Sequence, residues 1–263
     1  MNEQPVTTSA TKTAAKNAAG KIRSLVQADG LFKQHRTQAE AVQAVEGVSL
    51  VVHAGEMVAL VGPTGSGKTT LLGLLAGLEA PDQGTVTLLG QDLADLTPNE
   101  LADLRGRAVG MIYQSYNLFP GFTVRQNVGL PLRLMLRPPF DAHARSGEIL
   151  AELGLMALAE RFPAELSGGQ QQLVAIARAM AANPPLILAD EPTANLDSAT
   201  ARQITARLRA VADTGRHGVI LATHDLRTAS QADRVLTLRD GQIVKETALQ
   251  AGRTGSQVLA ELA

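Results

Sequence analysis

Along this chain, unbroken apolar runs of strand length alternate with stretches of helical period. Met57 to Val61 (MVALV) and Leu186 to Ala189 (LILA) contain no polar alternation, as strands buried on both faces should. Val109 to Tyr113 and Gly218 to Ala222 read the same way. From Lys68 the pattern becomes helical (TTLLGLLAGL) and ends near Gly77. Further helices are expected from about Ala142 to Leu153, from after Gly169 to about Met180, and from about Ala199 to Ala212. This alternation predicts a mostly parallel α/β core. Residues 24–29 and 47–52 read as strands of a small antiparallel sheet, split by a polar insert from Lys33 to Glu40. A turn at Pro81, Asp82 and Gly84 leads into a strand over Thr85 to Leu89. Val235 to Leu238 and Gln242 to Lys245 flank Asp240-Gly241, a hairpin signal. Residues 115–165, with Pro120, Pro131, Pro138 and Pro139, depart from the sheet pattern and predict an inserted helical subdomain over about 115–168. Residues 1–23 are expected to be a disordered leader, and 247–263 a tail with a short helix from about Gly255. No run approaches the ~18 apolar residues of a membrane span, and the first twenty residues lack the apolar stretch of a secretory signal.

Composition narrows the possibilities. With 45% hydrophobic and 19% charged residues, the 263-residue chain is globular. A formal net charge of −1 gives no global basic field for DNA, RNA or an anionic membrane. The absence of cysteine removes disulfides, thiolate metal sites and a cysteine nucleophile. Aromatic content is 3%, with no Trp, so the core must be aliphatic. Six of the seven rings (Tyr113, Tyr116, Phe119, Phe122, Phe140 and Phe162) fall in one window, and only Phe32 lies outside it.

The chemistry is concentrated in a few strings. Gly62-Pro63-Thr64-Gly65-Ser66-Gly67-Lys68-Thr69, with Thr70 after it, is a full GxxxxGK[ST] between a buried strand and a helix. Such glycines let successive N–H groups face phosphate oxygens, and the helix start adds partial positive charge. Lys68 can reach the β- and γ-phosphates, and the Thr69 hydroxyl can ligate Mg²⁺. Asp190 ends a buried strand, where ligands of open parallel sheets bind. Asp190 is assigned to Mg²⁺, directly or through water, and the adjacent Glu191 to the base that polarises the attacking water. Leu166-Ser167-Gly168-Gly169-Gln170 reads, taken alone, as a helix N-cap.

Taken with the phosphate loop, the run LSGGQQQLVAIARAM just ahead of Asp190 resembles the signature of ABC-type ATPases. The resemblance covers roughly residues 24–246. It implies an α/β P-loop NTPase (RecA-like) core with a mostly parallel sheet, an antiparallel β subdomain and an inserted helical subdomain. It implies ATP and Mg²⁺ as cofactors, with Ser167, Gly168, Gly169 and Gln170 facing the γ-phosphate held by a second protomer. That in turn implies a dimer, either of this chain or with a similar ATPase. Gln114 matches the Q-loop glutamine that senses metal and water, and Asn195-Leu196-Asp197 matches the loop that crosses the dimer interface. His224 matches the switch histidine at the γ-phosphate. Where the family has a ring stacked on adenine, this chain has His35, with Val42 behind it and Phe32 slightly earlier. A second departure is Leu173, where the signature helix commonly carries Arg.

Finer strings (YQSYNLFP over 113–120, Gln126-Asn127-Val128 and Leu130-Pro131-Leu132) resemble the lipoprotein-release, macrolide-export and antimicrobial-peptide-export subgroup. The division-linked relative is also close. The subgroup implies a membrane permease contacted through 115–165 and a cytoplasmic protein held peripherally on the inner face of the membrane. Gating of a transmembrane regulator without transport uses the same ATPase chemistry and stays open as the alternative. A soluble member acting on DNA or ribosomes would show long coiled coils, zinc-binding cysteines or two ATPase units, and none is present.

Overall fold

The computed structural model describes residues 24–36, 41–194 and 196–249. Two sheets organise the chain. The first is antiparallel and contains β1 (Ser24–Arg36), β2 (Ala41–His53), β4 (Gln83–Leu88) and β5 (Gln91–Asp92), in the order β2-β1-β4-β5. The second contains β3 (Met57–Val61), β6 (Val109–Ile112), β7 (Leu186–Asp190), β8 (Gly218–Thr223), β9 (Arg234–Arg239) and β10 (Gln242–Ala248). Its order is β10-β9-β3-β8-β7-β6, parallel except for β10, which folds back on β9 through the Asp240-Gly241 turn.

Every residue of β3, β7 and β8 is buried, as unbroken apolar strands require. One aliphatic cluster fills the space between the two sheets and takes in Leu71, Leu72, Leu74 and Leu75 of helix α1 (Lys68–Leu75). A second covers the other face of the parallel sheet, under Ile204 and Leu208 of α6 (Ser198–Asp213). The third is the helical lobe: α3 (Val124–Leu134), α4 (Ala142–Glu152) and α5 (Gly168–Met180) pack around Val128, Leu132, Leu150 and Val174. The largest fully buried side chains are Leu, Ile and Met, with no ring among them.

Three expectations are corrected. The polar stretch Lys33 to Glu40 does not interrupt the strands up to Arg36: β1 runs through it to Arg36, and β2 begins at Ala41. After a register shift at Lys33/Gln34, pairing resumes at Gln34–Gln43 and His35–Val42, because an antiparallel ladder needs only backbone groups and its outer end tolerates polar side chains. Helix α2 (Pro98–Ala108) lies outside the predicted elements, whereas helix α3 falls within the predicted helical subdomain, whose pattern does not give its bounds. Thr97 starts α2 with a capping box to Glu100, and Thr123 starts α3 with one to Gln126. Pro131 sits inside α3. At the C-terminal end β10 runs through Ala248, and Leu249 is buried with its N–H on Asp233 O at 2.8 Å, so the sheet continues past residue 246. The leader and the helix expected from Gly255 lie outside the described residues.

Candidate functional site

The parallel register brings four strand ends to one edge of the sheet. Val61 pairs with Thr223, Asp190 with Ala222, and Ile112 with Ala189. Gly62 therefore follows β3, His224 follows β8, Asp190 closes β7 and Gln114 lies just beyond β6, all at the carboxyl edge where such sheets bind ligands.

Helix α1 starts differently from the other α-helices. Helices α2 to α6 and α7 (Leu226–Ala229) each begin with a side-chain cap, from Thr97, Thr123, Asp141, Ser167, Asp197 and Asp225 respectively. Helix α1 begins on Gly67, which has no side chain to offer, so its first N–H groups are left for a ligand. Gly67 takes φ 101°, and a Cβ there would lie 2.0 Å from Ala44 O, so only glycine fits. The Lys68 ammonium donates to Gly62 O at 2.8 Å and Pro63 O at 2.9 Å, drawing the loop around it. Ser66 Oγ is buried without a partner inside the same loop.

Across from the loop, Thr69 Oγ1 donates to Asp190 Oδ2 at 2.8 Å. Asp190 Oδ1 is buried and unpartnered. Burial pushes the Asp190 carboxyl above its ordinary value, an effect the Thr69 hydroxyl opposes and the neighbouring Glu191 reinforces. An unpartnered carboxylate oxygen beside a hydroxyl is a hard-oxygen pair of the kind that holds Mg²⁺ together with substrate phosphates. Among the described residues no cluster of three His, Cys, Asp or Glu forms a complete metal cage.

Glu191 stands at φ 46°, a left-handed conformation that is strained for a residue with a Cβ. Its N–H donates to Ala222 O at 2.9 Å, and its Oε1 lies 2.9 Å from His224 Nδ1. Glu191 is mostly covered (13% side-chain exposure) while His224 is open (66%). The pair thus joins β7 to β8 with the imidazole facing out.

His35 comes close to the same loop. Its Nε2 lies 3.2 Å from Thr70 Oγ1 and 3.8 Å from Glu79 Oε2, and its β-ladder partner is Val42, 51% exposed. Gln114 is exposed at the start of the turn after β6.

The signature residues sit on the helical lobe. Ser167 Oγ accepts from Gln170 N at 3.3 Å, and Gln170 Oε1 accepts from Ser167 N at 2.9 Å. The side chain of Gln170 is therefore committed to the cap. A Cβ on Gly168 would meet the Tyr116 hydroxyl at 3.0 Å, and one on Gly169 would meet Thr200 Cγ2 at 2.9 Å. Asp197 caps α6, accepting from Ala199 N, Thr200 N and the Thr200 hydroxyl, which holds its carboxyl below the ordinary value. Asn195 lies outside the described residues.

Two residues organise the site in roles that the sequence did not reveal, although Asn127 belongs to one of the subgroup strings. Arg178, 9% exposed on α5, donates to Tyr116 O and Asn117 O, and so ties the turn after Gln114 to the signature helix. Both carbonyl-bearing residues have positive φ (60° and 48°), so the guanidinium holds a strained turn. Asn127, fully buried, binds the loop before α3. For Arg178 the available signal was a lone charged residue inside an apolar helical run (VAIARAM). Leu173, in the place of the family's Arg, packs against both the lobe and the sheet cluster.

A family model described as "ABC transporter" matches residues 45–194. A lipoprotein-releasing system ATP-binding protein, LolD, from Pseudomonas fluorescens is 42% identical over 222 residues, covering 84% of this chain and 98% of that protein. A macrolide export ATP-binding/permease protein, MacB, from Azoarcus sp. is 41% identical over 222 residues, covering 84% of this chain but 34% of that protein. The chain thus spans about a third of the length of this longer relative. Among solved structures, the dimeric post-hydrolysis state of the ATP-binding cassette MJ0796 bound to ADP and Pi superposes with a TM-score of 0.80 at 36% identity, covering 86% of this chain and all of that one. The exposed phosphate loop, the acid at the neighbouring strand end and these likenesses over most of the chain converge: it is an ATP-binding and ATP-hydrolysing cassette, and it belongs to the ABC transporter family.

Proposed function

We propose that the chain powers a membrane permease by binding ATP between two protomers and hydrolysing it. The observation that carries this is the alignment of the uncapped α1 start, Asp190, Glu191 and His224 along one sheet edge. In this reading the N–H groups of Gly65 to Thr70 and the Lys68 ammonium bind the β- and γ-phosphates. Thr69 and Asp190 hold Mg²⁺, with Gln114 adjoining; the ion neutralises phosphate charge when bound. Glu191 accepts the proton of the attacking water, and His224, in contact with Glu191, holds it in line and meets the γ-phosphate. His35 and Val42 form the platform for the base.

Ser167, Gly168 and Gly169 supply the second phosphate contact from the opposite protomer, with Asp197 at the seam. Their place on the helical lobe, built on a capped helix whose glycines are bare, suits a contact made across an interface. Closure on ATP and release after hydrolysis pass to the permease through 115–165. Export or release is favoured over gating, because the relatives above carry macrolide-export and lipoprotein-releasing names. Attachment would be peripheral, on the cytoplasmic face; among the described residues no helix is long and apolar enough to cross a membrane.

Glu191→Gln tests the assignment. It keeps the shape and the contact to His224 but cannot take a proton. Turnover is expected to fall by about 10²–10⁴-fold, with ATP still bound and the closed dimer accumulating in size-exclusion chromatography. Near-normal hydrolysis in this variant would remove Glu191 from the role of base.

A further inference from the structure

Between Leu104 and Phe140 the chain carries five arginines and no aspartate or glutamate, although its overall net charge is −1. Three of the five are engaged: Arg105 donates to Gly77 O at 2.8 Å, Arg107 pairs with Asp103 at 3.2 Å, and Arg125 with Glu160 at 3.0 Å. Arg133 and Arg137 are exposed and form no ion pair with a described residue. Between them stand Leu134 and Leu136, 76% and 89% exposed, the most exposed large apolar side chains described. Met135, between the two leucines, is half-buried and packs on the helical lobe. The segment therefore alternates: one methionine anchors it inward, while two leucines flanked by guanidinium groups face out.

Leu134, Met135 and Leu136 also line a groove of about 740 Å³, together with Leu78 and Met111. A helix lying in that groove would cover only the faces of Leu134 and Leu136 turned into it, and would leave Arg133 and Arg137, which do not line the groove, uncovered. Apolar side chains ringed by unpaired cations fit a layer that is apolar beneath and anionic above. Leucines can enter the acyl boundary while arginine stems lie along it and their heads reach lipid phosphates.

We propose that the Arg133–Arg137 rim is a bilayer contact. Leu134 and Leu136 enter the interfacial layer of an anionic leaflet, and Arg133 and Arg137 take phospholipid phosphates. This rests on the reading that the neighbouring groove takes a permease helix, because that is what turns the rim toward a membrane. Such a contact is too small to anchor the chain alone; it orients a cassette already held by its permease.

The chain has no tryptophan, so Leu136→Trp in the full chain is a sole fluorescent reporter. Vesicles of phosphatidylglycerol and phosphatidylcholine should shift its emission to the blue and expose it to quenching by brominated acyl chains. Pure phosphatidylcholine and high salt should give much less. Adding Arg133→Gln and Arg137→Gln should raise the lipid concentration for half-maximal shift about 30-fold, from about 1 kcal/mol per basic residue, without changing ATP hydrolysis by the soluble chain. Val244→Trp, on β10 at a position 55% exposed, should not respond. An emission indifferent to anionic vesicles, or equal with and without the arginines, overturns the proposal. A shift seen only with detergent-solubilised permease assigns the rim to the protein partner and overturns the lipid contact while leaving the permease reading intact. A vesicle response in a chain that never co-purifies with a permease supports the lipid contact and defeats the permease reading.

Discussion

Replacing Asn127 by alanine should loosen the loop that joins the nucleotide edge to the helical lobe. Asn127 is fully buried, and its Oδ1 accepts from Phe119 N at 2.8 Å. Its Nδ2 donates to Phe119 O, Phe122 O and Thr123 O at 3.0 to 3.1 Å. Not all of these groups are orphaned by the change. Phe119 O still accepts from Phe122 N at 3.1 Å, and Thr123 O from the Asn127 backbone N–H at 2.9 Å. Phe119 N and Phe122 O lose the partner described for each. Two part-buried polar groups left unpaired at about 1–3 kcal/mol each set an upper bound of roughly 2–6 kcal/mol, which solvent access at the exposed Phe119 and Phe122 lowers. For a domain of this size each kcal/mol lost lowers the melting temperature by about 2–4 °C. Urea denaturation measures the loss directly, and amide exchange at Phe119 shows whether it is local. Asn127→Asp separates the terms: it keeps the acceptor for Phe119 N but gives up both donors and buries a charge, so it should be at least as damaging. A loss below about 0.5 kcal/mol in Asn127→Ala, within the range of ordinary surface changes, would show that water replaces the amide and that the side chain is not what holds the loop.

Gly67→Ala sets a Cβ 2.0 Å from Ala44 O at a φ of 101°; ATP binding should be lost even where a folded chain is recovered, as read by fluorescent-nucleotide titration. His35→Ala should weaken ATP binding several-fold and leave phosphate-only ligands unaffected, whereas His35→Tyr should restore or improve it; equal ATP affinity in His35→Ala removes the ring from the base site. The Asp197 carboxyl, held low chiefly by the Thr200 hydroxyl, contributes stability that is present above its unfolded value and lost as pH falls through the folded one. Asp197→Asn keeps a cap but not the charge, so its unfolding curve should depend less on pH below about 4 than that of the unaltered chain; parallel pH profiles would show that the cap charge does not matter.

The sequence made some elements legible and concealed others for physical reasons. Strands β3 and β7 were legible because burial on both faces leaves no room for polar residues, and the phosphate loop because its chemistry demands glycine, lysine and a hydroxyl together. The outer ends of β1 and β2 were hidden because solvent-facing strand tips carry Lys33, Gln34 and Gln43, residues that a pattern search reads as loop. The segment of α3 was legible as part of a helical subdomain, but Pro131, which the helix tolerates inside its length, hid its bounds. The Glu191–His224 contact could not be read at all, since it depends on β7 and β8 being neighbours, a fact of topology rather than of spacing.

The scarcity of rings follows from the same division of labour. Sheets packed by Leu, Val, Ile and Ala leave no large ring among the largest fully buried side chains. Of the six rings between Tyr113 and Phe162, four are exposed: Phe119 (50%), Phe122 (37%), Phe140 (37%) and Phe162 (44%). Phe119 and Phe122 stack at 5.5 Å on the loop pinned by Asn127. Exposed aromatic side chains held on a hydrogen-bonded frame lose little freedom when covered, which suits them to anchor a partner. The frame that holds them is also tied to the nucleotide side: Arg178 grips Tyr116 O and Asn117 O, three residues or fewer beyond Gln114. If Gln114 responds to nucleotide as proposed, its shift would move both helix α5, through Arg178, and the ring-bearing surface, through the turn that Arg178 holds. Coupling of hydrolysis to a partner then needs no long relay, because one short turn is shared by the site and the surface.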